Sequence, residues 1–208
     1  MHWPVAFQNM TENQWSQNED KTVRYYADGI TLADTWKAME RLVDLKLVRS
    51  IGLSNFKPAE TEEILRMARI KPVVNQVELH PFLNQAELRQ YCAQKGIIIT
   101  SYCPLANLKR PNEREEDASA LYHPVINELA KAKSKTTAQI IIRWHLQHNL
   151  TVIPKTVTSA RLHENCQVFD FTLSNEEMHR IDQIETTRHR RFVNPPFLPP
   201  GDKNVFDD

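Results

Sequence analysis

Four groups of polar residues each follow an apolar run of this sequence, and they are the residues best placed to do chemistry. They are Ser54-Asn55, Gln76 to His80, Tyr102-Cys103 and Lys155-Thr156. Each apolar run is typical of a buried strand, and parallel sheets place their ligand sites beyond the carboxyl ends of the strands. We therefore expect a ligand site to be built from these residues.

Scarce glycine limits how such a site could bind a nucleotide. The glycine-rich dinucleotide fingerprint and the Walker phosphate loop each need several glycines within about six to eight residues. This chain has only four glycines, and the nearest two are Gly29 and Gly52. Any nucleotide site must therefore be built in another way.

Two pairs of potential metal ligands stand out. Glu78-x-His80 projects both side chains to one face of a strand, and His145-x-x-His148 lies close to one face of a helix. A metal site needs three or more convergent ligands, and neither pair has an evident third. We interpret both pairs as structural or solvent-facing and predict no metal site.

The elements that must position these residues follow from hydrophobic periodicity. The predicted strands are 48–53, 73–78, 97–102 and 150–155. The predicted helices are one capped by Thr31 or Asp34, then 59–69, 85–95, 124–132, 137–149, 159–167 and 174–185. Strands that alternate with helices indicate an α/β fold with a parallel sheet and crossover helices. Residues 8–28 and 105–122 are predicted loops, and the proline-rich tail at 193–208 cannot be regular structure.

Composition excludes several classes of function. Lys plus Arg equals Asp plus Glu at 26 each, so no global field draws the chain to nucleic acid or to an anionic membrane. No apolar stretch is long enough to span a bilayer, and the first seven residues do not form a signal peptide. Three scattered cysteines indicate reduced thiols and a cytoplasmic location, with Cys166 expected to be a small core residue.

Several multi-residue motifs occur together in one order. They are His2-Trp3-Pro4, Gly52-Leu53-Ser54-Asn55-Phe56, Asn75-Gln76-Val77-Glu78-Leu79-His80-Pro81 and Ile153-Pro154-Lys155. In this order they resemble the aldo-keto reductases, NAD(P)H-dependent carbonyl reductases on an eightfold barrel. The sequence looks closest to the fungal xylose reductase and glycerol dehydrogenase branch. The resemblance runs from residue 2 to about residue 192.

The resemblance implies a dinucleotide site at these strand ends. Ser54, Asn55 and Gln76 resemble the family's partners for the nicotinamide carboxamide, because amides and hydroxyls offer donors and acceptors to a planar amide. Tyr102 resembles the residue that stacks under the nicotinamide ring.

The resemblance also implies where the phosphates bind. Cys103, Leu105 and Asn107 lie where the family wraps its pyrophosphate loop, although Cys103 replaces a serine and a thiol is the weaker donor. The family's 2′-phosphate and adenine contacts are matched by Lys155, Thr156, Arg161, Glu164 and Asn165. Two cations beside a phosphate, aided by the start of a helix, favour NADPH over NADH.

The catalytic apparatus is matched at one position only. Hydride transfer to a carbonyl makes an alkoxide that an acid must protonate. In the family this acid is a tyrosine supported by a lysine, an aspartate and a histidine, and His2 alone matches this set. The others belong to sequence that would precede Met1, and nothing assigns the acid role to Tyr25 or Tyr26. Trp3 resembles a wall of the substrate pocket, and the tail resembles the loop that closes it.

The resemblance therefore implies one partial domain over residues 1–208. We expect an incomplete (β/α)8 TIM barrel that retains roughly strands five to eight, with exposed sheet edges that favour self-association or marginal stability. Three functions stay open. The chain is a shortened reductase that acts on a small carbonyl substrate in full-length form and is inactive alone, a non-catalytic paralogue that binds a nucleotide or a partner, or a structural remnant.

Overall fold

A computed structural model describes residues 1–5, 29–106 and 119–193 of the chain. The described helices are α1 (Leu32–Asp44), α2 (Pro58–Met67), α3 (Ala86–Lys95), α4 (Pro124–Lys133), α5 (Thr137–Gln147), α6 (Ser159–Cys166), α7 (Asn175–Asp182) and α8 (Ile184–Thr187). The described strands are β1 (Leu53–Ser54), β2 (Val74–Glu78), β3 (Ile98–Tyr102) and β4 (Thr151–Val152). A 3₁₀ turn covers Ala120–Tyr122. Asn107, Tyr25, Tyr26 and the segment beyond residue 193 lie outside the described residues, as does most of the two predicted loops.

Strands and helices alternate as predicted, and the fold is α/β with a parallel sheet. The strand order is β1-β2-β3-β4. Ser54 pairs with Gln76 in the parallel register of β1 and β2, and Ser101 pairs with Val152 in that of β3 and β4. Residue contacts divide the described chain into two compact units, the first formed by 1–5, 29–76 and 90–97 and the second by the rest.

The first unit is built around an aromatic and aliphatic core beneath β1. Trp36, Ile51, Leu53, Phe56 and Ile64 form its buried cluster. The Trp36 indole Nε1 donates to the carbonyl of Ile70 at 3.1 Å, so its one polar atom is satisfied inside the core. Helix α1 begins at Thr31, whose side chain accepts from the Asp34 amide in a capping box.

The second unit is centred on α5, which contacts α4, α6 and β4. Ile140, Ile141 and Trp144 lie one helical turn or less apart and are fully buried. A capping box at Thr136 starts the helix, and Gln139 completes it by accepting from the Thr136 amide at 2.9 Å. The same Gln139 donates to the carbonyls of Glu164 and Gln167, which ties α6 to α5.

Two predicted strands are much shorter than expected. The prediction of a strand over 48–53 is wrong, because only Leu53 of that run lies in β1 and the residues from Val48 to Ser50 are exposed. The predicted strand at 150–155 shrinks to β4, since Pro154 has no amide to extend the ladder. Gly52 permits a close approach before β1: a Cβ there would lie 2.8 Å from the Val74 carbonyl oxygen.

Two smaller features also differ from prediction. The predicted helix 174–185 ends at Asp182, and Gln183 separates it from the short α8. Cys166 is exposed at the end of α6, so its assignment to the core is wrong. None of the helices in the described part of the chain is both long and apolar enough to cross a membrane.

Candidate functional site

Three predicted cofactor residues meet in the first unit, and we call Ser54, Asn55 and Gln76 the strand-end group. Ser54 ends β1 beside Gln76 of β2, and the Asn55 amide donates to the Gln76 carbonyl at 2.9 Å. Asn55 has a left-handed backbone with φ of 63° and is 2% exposed. Asparagine tolerates this conformation better than most residues, which turns the chain sharply after β1.

The side chains of the strand-end group have a defined set of donors and acceptors. The Asn55 amide Nδ2 donates to Ser54 Oγ at 3.1 Å and to the His2 carbonyl at 3.2 Å. Because Ser54 Oγ accepts here, its own hydroxyl proton is left to donate. The Gln76 side chain is half-buried and has no hydrogen-bond partner among the described residues. The group therefore presents a hydroxyl donor and an amide, the functions that match a planar carboxamide.

A buried asparagine that sequence reasoning missed supports this group. Asn75 is fully buried, and its Nδ2 donates to the Phe56 carbonyl at 2.8 Å while its Oδ1 accepts from the Phe56 amide at 3.4 Å. These bonds hold the turn on the far side of Asn55. The position of Asn75 in β2 gives a signal for this role. Asn75 directly precedes Gln76, and neighbouring residues of a strand point to opposite faces of the sheet.

His2 and Trp3 differ in burial although they are neighbours. The His2 side chain is exposed, whereas Trp3 is buried, and their rings stack with centroids 5.7 Å apart. Trp3 also lines a cavity of about 100 Å³ with Pro4, Ile30 and Leu32. That volume is smaller than the roughly 300–1,000 Å³ of ordinary ligand sites. The His2 backbone carbonyl accepts from Asn55 Nδ2, and the His2 ring is exposed to solvent beside Trp3.

Tyr102 is the last residue of β3, in the second unit, and is half-buried. Burial raises its pKa well above the ordinary value, the nearby Glu78 carboxylate adds to this effect, and Arg191 opposes it. The side chain is therefore a neutral phenol at physiological pH. A phenol with a raised pKa is a weaker proton donor, whereas its aromatic face at a strand end is suited to stacking.

The residues after Tyr102 form a tight turn. Cys103 has a left-handed φ of 51°, and its carbonyl accepts from the Ala106 amide at 2.9 Å. Burial, reinforced by Glu78, raises the pKa of its thiol to about 11, so the sulfur is protonated and a weak donor. Leu105 is buried, and its carbonyl accepts from Ser119 Oγ at 3.4 Å.

The predicted phosphate and adenine residues lie in one stretch, residues 155–165, which we call the basic segment. Lys155 and Arg161 are exposed and have no ion pair within the described residues. Thr156 Oγ1 accepts from the Thr158 amide at 3.1 Å, which stabilises the turn before α6. Glu164 Oε1 accepts from Thr136 Oγ1 at 2.8 Å, so one oxygen of this carboxylate is already engaged.

Glu164 and Asn165 share a face of α6 with Arg161. They follow it by three and four residues, the spacing of neighbours on a helix, and both are half-buried. The structure thus brings the helical part of the basic segment together on one surface. Within the second unit, cations and hydrogen-bonding groups are arranged along this helix and the turn before it.

Glu78 and His80 form a buried pair, so the solvent-facing interpretation of them is wrong and the structural one is confirmed. Both side chains are fully buried, and His80 Nε2 lies 2.9 Å from Glu78 Oε1. Burial lowers the pKa of His80 despite the attraction of Glu78, and the ring therefore donates as the neutral Nε2–H tautomer. Burial opposes ionisation of Glu78, but its hydrogen bonds prevail and hold its pKa below the ordinary value.

His145 is also structural, as expected. It is fully buried, with Nδ1 2.8 Å from the Ile141 carbonyl and Nε2 3.0 Å from Ser101 Oγ. Burial lowers its pKa to about 4, so the imidazole is neutral and ties α5 to β3. Across residues 1–5, 29–106 and 119–193, no three His, Cys, Asp or Glu side chains come together as a metal site would require.

Comparison with known proteins identifies the family. A sequence profile of the Aldo/keto reductase family matches residues 1–186. Aldo-keto reductase family 1 member A1-A of Danio rerio is 43% identical over 203 residues, which are 98% of this chain and 61% of the relative. Aldo-keto reductase family 1 member A1 of Gallus gallus is 42% identical over 94% of this chain and 58% of its own length. The chain thus spans about three-fifths of the curated relatives it matches.

Solved structures agree. An aldose reductase from Giardia lamblia superposes with a TM-score of 0.85 at 30% identity over 99% of this chain and 66% of that one. One from Schistosoma japonicum gives 0.80 at 40% identity over 92% of this chain and 58% of that one. The fungal branch suggested by the motifs stays a prediction. The family itself is established: this chain belongs to the aldo-keto reductases.

Proposed function

We propose that this chain carries the cofactor-binding part of an NADP(H)-dependent oxidoreductase that reduces aldehydes or ketones to alcohols in its full-length form. The observation that carries the proposal is the strand-end group. Asn55 is fixed in a left-handed turn beside Gln76, within a motif that resembles the family's carboxamide site. The bound dinucleotide supplies the hydride, and the residues of this chain bind and orient it.

The strand-end group fits a nicotinamide carboxamide on chemical grounds. A carboxamide has one acceptor oxygen and an NH₂ donor, and it needs both kinds of partner. Ser54 has a hydroxyl proton left to donate, while Gln76 has both amide functions available among the described residues. In the second unit, neutral Tyr102 offers an aromatic face for the ring.

The basic segment fits a phosphate ester. Lys155 and Arg161 are exposed cations without ion pairs in the described residues, so no carboxylate has to be displaced when a phosphate binds. Charge-assisted bonds to phosphate are about twice as strong as neutral ones. A 2′-phosphate is the group that distinguishes NADPH from NADH, and these two cations favour the phosphorylated form.

The 208-residue chain alone is not expected to turn over a carbonyl substrate. Of the family's acid tyrosine, lysine, aspartate and histidine, only His2 has a matching motif, and Tyr102 is held as a neutral, half-buried phenol. The full-length form acts on a small carbonyl compound, in line with the aldose reductases among its structural relatives. The second candidate function is a non-catalytic paralogue that binds a nucleotide or a partner.

Titration of the purified chain with NADPH and with NADH tests the proposal. We expect saturable NADPH binding, weaker NADH binding, and no oxidation of NADPH by added aldehydes. The variant Gln76→Ala should weaken both dinucleotides, and Arg66→Ala, an exposed arginine on α2, should weaken neither. A wild-type chain that binds neither dinucleotide contradicts the proposal. Turnover of an aldehyde by the chain would contradict the expectation that the chain is inactive by itself.

The chain also forms one partial domain, an incomplete (β/α)8 barrel that retains roughly strands five to eight, and associates with itself through sheet edges. Among the described strands β1 and β4 are the outer ones, and no other described strand pairs with their outer edges. Ile98 and Ile153 in the second unit are about half exposed, at 52% and 48%. Size-exclusion chromatography with light scattering should show oligomers, and a cooperatively melting monomer would contradict this.

A further inference from the structure

The Glu78 carboxylate accepts more hydrogen bonds than the pairing with His80 requires. Its Oε1 accepts from the Phe192 amide at 2.7 Å and its Oε2 from the Val193 amide at 2.8 Å. With the imidazole Nε2–H, three donors converge on one buried carboxylate. Charge-assisted bonds of this kind are the strong ones, and they offset the cost of burying the charge.

The segment that Glu78 binds also packs on two residues that follow β2, His80 and Phe82. His80 meets the Phe192 ring edge-on with centroids 5.3 Å apart, and the Arg190 amide donates to the Phe82 carbonyl at 2.9 Å. The Arg188 guanidinium lies 4.8 Å from the centre of the Phe82 ring. The stretch from 188 to 193 is therefore ordered by residues 78–82, with the carboxylate at its end.

The same strand end adjoins the candidate nicotinamide residue. The Leu79 amide, next to Glu78, donates to the Tyr102 carbonyl at 3.3 Å, which aligns the ends of β2 and β3. Arg191 and Glu78 both act electrostatically on Tyr102. The backbone of Phe192 and Val193 and the backbone of Tyr102 are thus both hydrogen-bonded to one strand end, through Glu78 and Leu79.

We propose that Glu78 is a positioning residue whose carboxylate holds the backbone of Phe192 and Val193 at the end of β2, and thereby keeps Tyr102 in its cofactor-binding arrangement. The link to the cofactor rests on the proposed function, whereas the anchoring of Phe192 and Val193 does not. Neither effect requires Glu78 to touch the substrate or the reacting atoms.

Glu78→Gln is the sharpest test because it keeps the shape and removes acceptors. A carboxamide has one oxygen, so its NH₂ must face one of the three donors and at least one bond is lost. Asp182→Asn is the matched control, since Asp182 Oδ1 accepts from Trp144 Nε1 and His148 Nε2 in the same unit without contacting Phe192 or Val193.

Hydrogen–deuterium exchange of the full chain reads out the anchor. In Glu78→Gln we expect exchange at Phe192 and Val193 to accelerate roughly tenfold or more, with helix α5 unchanged. Unchanged exchange at these two amides, or equal acceleration in Asp182→Asn, overturns the proposal. If Glu78→Gln does not fold, His80→Leu removes one donor and keeps the charge. It should accelerate the same amides less, and no acceleration overturns the proposal.

Binding of NADPH then tests the link to Tyr102. We expect Glu78→Gln to raise the Kd for NADPH about fivefold and Asp182→Asn to leave it unchanged. Faster exchange with an unchanged Kd overturns the link. If the wild-type chain does not bind NADPH, the proposed function fails, and the exchange measurement still decides whether Glu78 anchors the segment.

Discussion

The strand-end group and the basic segment differ in how their side chains are buried and hydrogen-bonded. Asn55 and Ser54 are buried and hydrogen-bonded to each other and to backbone. Lys155 and Arg161, in contrast, are exposed and have no ion pair among the described residues. In one region Ser54 and Asn55 are held by hydrogen bonds before any ligand binds, and the other region carries its charges on long, exposed side chains.

The two regions differ because their proposed ligand groups differ. A carboxamide is recognised by direction, since each donor must face an acceptor within about 3 Å. A phosphate carries charge that attracts cations over several ångströms and accepts bonds from many directions. Rigid recognition loses more when one atom is removed, so substitutions in the strand-end group should have the larger effects.

Asn55→Ala is expected to have the largest effect. It removes two donor bonds, one buried and one partly buried, and forces alanine into a φ of 63°, which we expect to lower the free energy of unfolding by about 3 kcal/mol. The Kd for NADPH should rise at least about thirtyfold. Urea denaturation and fluorescence titration measure the two effects.

Asn55→Gly separates the two causes. Glycine adopts a left-handed φ without strain, so this variant should recover about 1 kcal/mol of stability and none of the affinity. Equal stability of the alanine and glycine variants would show that the backbone conformation costs nothing. If both variants bind NADPH as tightly as the wild type, the strand-end group does not have the larger effect on binding that we expect of it.

His145, a buried residue of the second unit, provides the next effect, which is on the pH dependence of the free energy of unfolding. The pKa of His145 is about 4 in the folded protein and about 6.5 in the unfolded chain. Its contribution to the free energy of unfolding is therefore complete above pH 6.5 and is lost as the pH falls towards 4. Between pH 7 and pH 5 this loss amounts to about 2 kcal/mol.

The measurement is urea denaturation at pH 7 and pH 5 for the wild type and for His145→Asn. His80, whose pKa is also lowered, contributes in the same direction in both proteins, so only the difference between them reports on His145. We expect the variant to be less stable at pH 7 and less sensitive to pH. If both proteins lose the same free energy of unfolding between pH 7 and pH 5, the pH dependence does not come from His145.

Periodicity predicted the long elements of the fold and failed for the shortest strands. Strands β2 and β3 and the helix start at Thr31 agree with their β-branched runs and capping residues. The run 48–53 misled because apolar residues at a helix end can lie exposed in a turn, as Val48 does. Whether an apolar run pairs depends on its neighbours in space, which no local pattern contains.

The parts of the site that lie at strand ends could be predicted from the sequence. The parts that depend on contacts between residues far apart in the sequence could not. The register of β1 and β2 brings Ser54 to Gln76, as expected for parallel strands. The three donors on Glu78 were not predictable, because two come from backbone more than 110 residues away. Backbone amides have no residue type to signal their role, so the sequence offers only the acidic residue itself.

Arg161→Ala tests the basic segment and should weaken the binding of NADPH only. Loss of one charge-assisted bond at an exposed site should raise the Kd for NADPH about tenfold and leave that for NADH unchanged. The effect should shrink at high salt, because exposed charges are screened. Arg66→Ala on the exposed face of α2 is the control. Equal weakening of both dinucleotides would mean that Arg161 does not contact a 2′-phosphate.

Cys103→Ser should have the smallest effect, because it changes the strength of one donor within a turn that is already formed. The Cys103 thiol is protonated, with a pKa of about 11, and a hydroxyl in its place is a stronger donor of similar shape. We expect the Kd for NADPH to fall about threefold without a change in the free energy of unfolding. Cys166→Ser, at an exposed position on α6, should change neither. Weaker binding by Cys103→Ser would show that this turn excludes a hydroxyl, and that the pyrophosphate contacts in this chain lie elsewhere.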